Sequence, residues 1–372
     1  MADPAARLGA VPATLYAGGD CRIVRLDAAD PGLWPALLAR RPPLPVGYHR
    51  LHCAYQHDYF ASAHRHYLAL DSLVYWRDEP VGVWPLAVYG DAGGLRLSSH
   101  LNGAYGVVPP LLLDGLSDKQ GKAVSAGWLA ALAALVAHFG PALDPTLRIV
   151  SPEPWTDAPD WYPRLLARGA AVAAQHRLVA DLTWSEADYH RQLRKSYKSL
   201  LNQAARTWTV DLDARGDAAA FAQFQALHEA VAGRRTRPAI TWERQFEAIA
   251  GGAAFAVYLR EGSGRLIGAS LYNCSPQAVY YAVGAYDRQL FDQPVAHLSL
   301  FRAIGHARES GRRQFILGNR PFPGDSPAPS EKEAKIAFFK EGFATALQIL
   351  PVIDIAGANL APLAADRPEA TG

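Results

Sequence analysis

The sequence predicts an α/β chain, of the α+β kind, made of two related domains in tandem, each a mixed, mostly antiparallel sheet flanked by helices. Three observations predict it. The 372 residues are half apolar, enough for about two ordinary domains. A strand–turn–strand pattern occurs twice. Each copy is followed by the same order of further elements.

The first copy spans residues 72–89, where the turn residues Arg77 to Pro80 interrupt two β-branched and aromatic runs. The second spans 255–272. Val74-Tyr75-x-Arg77 matches Val257-Tyr258-x-Arg260, and Gly82 matches Gly268 once the second turn is made three residues longer. Gly103-Ala104-Tyr105 then echoes Gly284-Ala285-Tyr286 as a third strand. A helix is predicted over 123–139, stopped by Gly140, with a strand over 146–150; the counterparts are 295–310, Gly311 and 314–317. Glycine suits the left-handed residue that closes a helix. The boundary falls near Asp181, which gives domains 1–180 and 181–372, and the tail after about residue 345 is expected to return to the first. A Pro/Gly run over 321–329 reads equally as a mobile loop beside an active site and as a plain connector.

Composition excludes several classes. A net charge of +2, from 37 basic and 35 acidic side chains, does not suit wholesale coating of nucleic acid and leaves only local patches. Cys21, Cys53 and Cys274 are scattered and odd in number, which fits a reducing compartment and no disulfide framework. His52, His57, His64 and His66, with Asp58, crowd one region without a known ligand spacing, so no metal is expected; they read as helix-surface or cleft residues. The first ten residues lack a secretion signal, and the 17 residues of 123–139 fall short of a bilayer span, so no transmembrane segment and a cytoplasmic location are expected. Nucleophile-elbow, P-loop and Rossmann glycine patterns are all missing, which disfavours a covalent serine intermediate.

Three segments carry candidate chemistry. The chain has only seven lysines against 30 arginines, and five of the seven sit in two of these segments. In 189–206, Tyr189, Leu193, Tyr197, Leu200 and Ala204 form an apolar stripe at helical spacing, while Arg191, Lys195, Lys198, Asn202 and Arg206 form a basic one. Such a stripe holds a diphosphate or an RNA backbone, or is a solvated face. In 228–242, Gly233 closes a helix and Arg234, Arg235 and Arg237 follow, a cluster suited to carboxylate or phosphate, or else a basic surface turn. In 332–343, Ile336, Phe339 and Phe343 make an apolar face with Lys340 at its edge. An ammonium there either stabilises the oxyanion of an acyl-transfer intermediate or snorkels to solvent.

Leu-Arg-Lys-Ser-Tyr-Lys-Ser-Leu-Leu-Asn at 193–202, His-x-x-x-Ala-Gly-Arg-x-Thr-Arg-x-x-x-Thr-Trp at 228–242 and Phe-Phe-Lys-Glu-Gly-Phe at 338–343 resemble the second half of FemABX-like proteins, over roughly 181–346. Among these the sequence is most similar to the FemAB-like proteins of bacterial surface-polysaccharide pathways. The family is built from tandem GNAT units, and the first half resembles it only in element order. In its founding members an aminoacyl group passes from charged tRNA to an amine of a peptidoglycan precursor. Their Phe-Lys-x-Gly-Phe motif matches Phe339, Lys340, Gly342 and Phe343, which implies that Lys340 belongs to the acyl-transfer centre.

The resemblance thus implies an N-acyltransferase acting in a cleft between the units on a cell-envelope precursor, sugar or peptide. Lys340 and His297 are the candidate catalytic groups, with Asp292 an alternative base. Arg194, Lys195, Tyr197, Lys198, His228, Arg234, Arg237, Trp242, Tyr281, Tyr286, Asn319 and Phe339 are candidate substrate contacts. No cofactor is expected to be bound permanently. The donor would be aminoacyl-tRNA or acyl-CoA, and the acceptor a small molecule such as a nucleotide-sugar or peptidoglycan precursor. CoA-using GNAT units place a glycine-rich loop after the third or fourth strand. Here 286–297 has no such glycines, although Arg288 remains for a phosphate. An acetyl-CoA-dependent enzyme of the same fold and a non-catalytic binder of nucleotide-sugar or partner remain as alternatives.

Overall fold

A computed structural model describes residues 4–40, 45–100, 106–325 and 328–364. They divide into two compact units, the first drawn from 1–42, 56–174 and 350–372 and the second from 43–55 and 175–349.

The chain opens with α1 (Pro4–Gly9), the hairpin β1 (Thr14–Gly18) and β2 (Cys21–Arg25), α2 (Leu33–Ala39) and α3 (Arg50–Ala63). There follow β3 (His66–Ala69), β4 (Ser72–Trp76), β5 (Glu79–Trp84), β6 (Ala87–Asp91), β7 (Gly94–Ser98), β8 (Leu111–Leu112), α4 (Asp118–Phe139), β9 (Thr146–Val150), α5 (Trp161–Leu166) and β10 (Ala171–Asp181). The first unit holds a sheet in the order β1-β2-β4-β5-β8 and a smaller one in the order β3-β6-β7. The β4–β5 hairpin turns at Arg77, whose φ of 56° is tolerated because the residue is an exposed turn. Ser117 and Gln120 form a reciprocal cap at the start of α4, and Gly140, at φ 51°, ends it. That helix is long and apolar enough to cross a membrane by composition. In this fold Trp128, Leu129 and Leu132 are buried with Trp84 and Ile23 in the unit's core.

The second unit contains α6 (Glu186–Gln192), α7 (Lys195–Thr207), β11 (Thr209–Asp213), α8 (Ala218–Ala232), α9 (Ala239–Ala250), β12 (Ala254–Arg260), β13 (Leu266–Cys274), β14 (Ala278–Tyr286), α10 (Val295–Glu309), β15 (Gln314–Asn319), α11 (Glu331–Glu341) and the start of β16 (Ala346–Ala356). Its strands run β11-β12-β13-β14-β15-β10. Alternation along β12 sends Phe255 and Val257 to a layer shared with α6, α7 and α10, and Ala254, Ala256 and Tyr258 to the opposite layer with α8 and α9. All pairs are antiparallel except β14–β15.

One predicted element is corrected. The residues 189–206 are not one helix: the chain breaks at Leu193 and Arg194, where the Arg194 N–H donates to the Gly342 carbonyl instead of to its own helix. Arg191 is thereby removed from the basic stripe of α7 and pairs with Asp188. The expected strand at Gly103-Ala104-Tyr105 lies outside the described residues. The partner of Gly82 is Leu112, as the partner of Gly268 is Tyr286. Val107 bridges Ile149 in parallel, as Val279 pairs with Phe315. The register therefore equates 107–112 with β14.

Candidate active site

β14 and β15 pair only from Ala278–Gln314 to Tyr280–Ile316. Beyond that point β14 stays with β13 as far as Tyr286, and β15 stays with β10 as far as Asn319. The sheet therefore forks. One arm presents the Tyr281 ring, and the other presents Gly318.

The Lys340 ammonium lies in this fork. Its Nζ stands 4.3 Å from the centroid of the Tyr281 ring. A Cβ on Gly318 would come within 3.1 Å of the same atom, and Gly318 has φ 122°, which side chains avoid. Among the described residues no carboxylate pairs with Lys340; its neighbour Glu341 is engaged by Arg320 at 3.2 Å. The residue as a whole is half-buried, but protein crowds its charged end, and that desolvation lowers its pKa to about 8. At pH 7 it is thus largely a charged, unpaired cation. The surrounding hydroxyls are neutral, because burial raises Tyr281 and Tyr272 well above the usual tyrosine range. The Tyr281 hydroxyl bonds to that of Tyr286, which in turn meets Ser270.

The helix that carries Lys340 departs from expectation in one respect. Ile336 is 45% exposed and not on a buried face, because α11 ends at Glu341 and Phe343 turns into the core from beyond it. Ala337 and Lys340, three residues apart, share the inward face instead. Gly342 has a packing reason: a Cβ there would clash with the edge of the Tyr197 ring. Tyr197 is buried and donates to the Phe339 carbonyl at 2.9 Å, so it pins α7 to α11 and leaves no hydroxyl for a ligand. Arg194 stacks on Phe338 at 3.9 Å and donates to the Tyr197 hydroxyl at 3.2 Å. Phe339, half-buried, and His297 complete this cage, their ring centroids 5.0 Å apart.

His297 stands in the first turn of α10, 4.5 Å from the Tyr197 ring. Burial pushes its pKa down to about 4, so it is neutral at pH 7 and a weak proton acceptor. Its Nδ1 is buried without a well-formed hydrogen bond. Asp292 and Arg288 are exposed. Lys195 and Asn319 are exposed too, and Lys198 donates to the Arg191 carbonyl at 3.2 Å.

The remaining residues lie in the α8/α9 layer, on the opposite face of the sheet. Arg237 lies 4.7 Å above the Trp242 ring, donates to the Tyr55 hydroxyl at 3.0 Å and meets His228 Nε2 at 3.3 Å. Burial, then the Arg237 charge, lowers the His228 pKa. Arg237 Nε and Trp242 Nε1 are buried and unpartnered, and Arg237 has no carboxylate partner among the described residues. Arg234 is exposed. The sequence thus found most of both clusters but did not foresee that they occupy two faces. It also missed Gly318, whose one signal is a glycine at the exit of a predicted strand.

The early histidines are mostly committed elsewhere. His52 is buried, with Nε2 3.5 Å from the Cys274 carbonyl, and His64 pairs with Asp91 at 2.8 Å. No group of metal-ligating side chains occurs among the described residues. In the Pro/Gly run, Phe322 packs on His176 and its N–H donates to Asp325 at 2.8 Å.

Residues 187–327 match the family described as acetyltransferase (GNAT) domain. No curated protein matches the sequence. Among solved structures, FemX is similar over 90% of this chain and 98% of its own, at 13% identity and a TM-score of 0.61. L-PGS from Bacillus licheniformis covers 87% and 91%, at 11% identity and 0.54. The C-terminal domain of a putative lysylphosphatidylglycerol synthetase from Agrobacterium fabrum covers 90% and 93%, at 12% identity and 0.52. In fold, the chain is similar to FemX over most of its length, and residues 187–327 match an acetyltransferase (GNAT) domain.

Proposed function

We propose that the protein is a cytoplasmic N-acyltransferase that forms an amide on an amine of a cell-envelope precursor, sugar or peptide. The observation that carries the reading is the unpaired, desolvated Lys340 ammonium in the fork between β14 and β15. A fixed cation in a dry site stabilises charge that develops on a carbonyl oxygen, and it needs no solvent rearrangement to do so. The amine attacks the donor carbonyl and the oxyanion forms beside Lys340 Nζ. Collapse then expels the leaving group, and the amine's proton departs with it or to water. His297 is too weakly basic to hold that proton and instead shapes the apolar wall.

Arg237 supports an anionic substrate. A half-buried guanidinium without a carboxylate suits a phosphate or carboxylate held in two-point geometry over Trp242. At the start of α10, the Val295 N–H is taken by Gln293 and that of His297 by Pro294, so these backbone donors are not free for a pyrophosphate. This favours an aminoacyl ester, as on charged tRNA, over acyl-CoA. The family match to an acetyltransferase domain supports acetyl-CoA as the second reading.

The test is product formation, followed by mass spectrometry, with charged tRNA or acetyl-CoA as donor and amino-sugar nucleotides or muropeptides as acceptors. Lys340→Ala, folded by circular dichroism, should lose on the order of a hundredfold in rate. An unchanged rate removes Lys340 from the chemistry.

A further inference from the structure

The first unit buries a polar group that its own fold leaves unmet, His100. This imidazole is 3% exposed, and neither ring nitrogen has a hydrogen-bond partner among the described residues. The backbone is unusual as well: His100 has φ 52°, one of two non-glycine residues with positive φ among those described. A buried polar ring with both nitrogens unmet, on a left-handed residue, is costly twice over and asks for a reason.

The surroundings define what would satisfy it. The ring stacks on Phe60 at 3.6 Å, with Tyr89 at 4.8 Å and Tyr67 at 6.4 Å. Both nearby carboxylates are already engaged: Asp71 by His57 at 2.7 Å, and Asp91 by His64 at 2.8 Å. His57 in turn meets the Tyr67 hydroxyl. Burial, then His57 and His64, keeps His100 neutral by lowering its pKa to about 3. A neutral imidazole offers one donor and one acceptor on opposite sides of the ring, and a hydroxyl group can meet either. Aromatic faces beside a few placed polar groups suit a ring that is apolar on its face and hydroxylated at its rim. Phe60, His64 and Tyr67 are half-exposed, so the cluster grades from the surface to His100.

We propose that the first unit binds an uncharged sugar ring in this cluster, with a sugar hydroxyl bonded to His100. The site is complete within that unit and stands whether or not the second unit transfers an acyl group.

The experiment is a titration of the full chain with methyl glucoside and N-acetylglucosamine, followed through 15N-labelled histidine side chains. Sugar should shift the His100 nitrogens and leave those of His138, already bonded to the Arg7 carbonyl, unmoved. His100→Phe keeps the ring stack and the backbone strain but removes the nitrogens. It should melt a few degrees higher and bind sugar at least about tenfold more weakly, the loss of one good hydrogen bond to a buried group. Three results overturn the proposal: His100 signals unmoved at 100-fold the concentration that a specific site requires, sugar binding unchanged in His100→Phe, or a melting point lowered by that substitution, which would assign the nitrogens to a buried water.

Discussion

The third strand of each unit joins the same two neighbours, a hairpin glycine on one side and a parallel strand on the other, yet the two forks are built differently. In the first unit five positions separate Val107, bridged to Ile149, from Leu112, paired with Gly82, and Pro109 and Pro110 lie between. Prolines cannot donate to a ladder, so the strand simply stops pairing. In the second unit β14 runs on to Tyr286, with a shift of register between Leu271 and Tyr272, and its fork holds a tyrosine face, a positive-φ glycine and a lysine from α11. The same skeleton thus closes quietly in one unit and is kept open around a cation in the other.

Several substitutions break or sharpen this contrast. The largest effect is expected from Lys340→Met: turnover falls by about a hundredfold or more while the fold becomes more stable. The sign follows from linkage. The folded pKa of about 8 lies below that of a free lysine, so the unfolded chain holds the extra proton between pH 8 and 10.5. Stability rises with pH across that window, and at neutral pH the buried charge is a cost that methionine removes. A melting-point gain that shrinks above pH 10 checks it. A variant that melts lower at pH 7 would show the ammonium to be paired.

Gly342→Ala should destabilise by about 1–3 kcal/mol, because the added methyl meets the Tyr197 ring. Urea unfolding measures it. Gly318→Ala should cost about 1–2 kcal/mol from its φ alone and displace the ammonium, lowering kcat by about tenfold with little change in KM. In wild type kcat/KM should fall as pH rises through about 8, since the charged lysine is the active form; a rise through the same range would make Lys340 a base. The smallest effect belongs to the quiet fork. Pro110→Ala should change stability by under about 1 kcal/mol and leave turnover unchanged.

Hairpins, helices and glycine stops were legible because local chemistry fixes them: Gly140, Gly233 and Gly311 all take positive φ at helix ends. The echo at 103–105 sets no register because three residues define none, whereas Gly82 and Gly268 do, each packed against the strand beside it. Lys340 was visible only through its motif. What sets it apart, a lost strand pairing and a glycine on the preceding strand, is not local and leaves no local pattern. The aromatic cage of Tyr197, Phe339 and His297 combines three segments far apart in sequence, so sequence could name its members but could not separate pins from ligands. The residues 43–55 gave no sign of joining the second unit, since their partners, such as Val179 and Ile316 beside Val46, lie far along the chain.

The most direct measurement is the titration of Lys340 itself, by 13C NMR of side-chain-labelled lysine, with the signal assigned through its loss in Lys340→Arg. A desolvated, unpaired ammonium in the fork titrates near pH 8, apart from the other lysines. A midpoint near 10.5, with the solvent-exposed lysines, would place the charge in water and contradict the account.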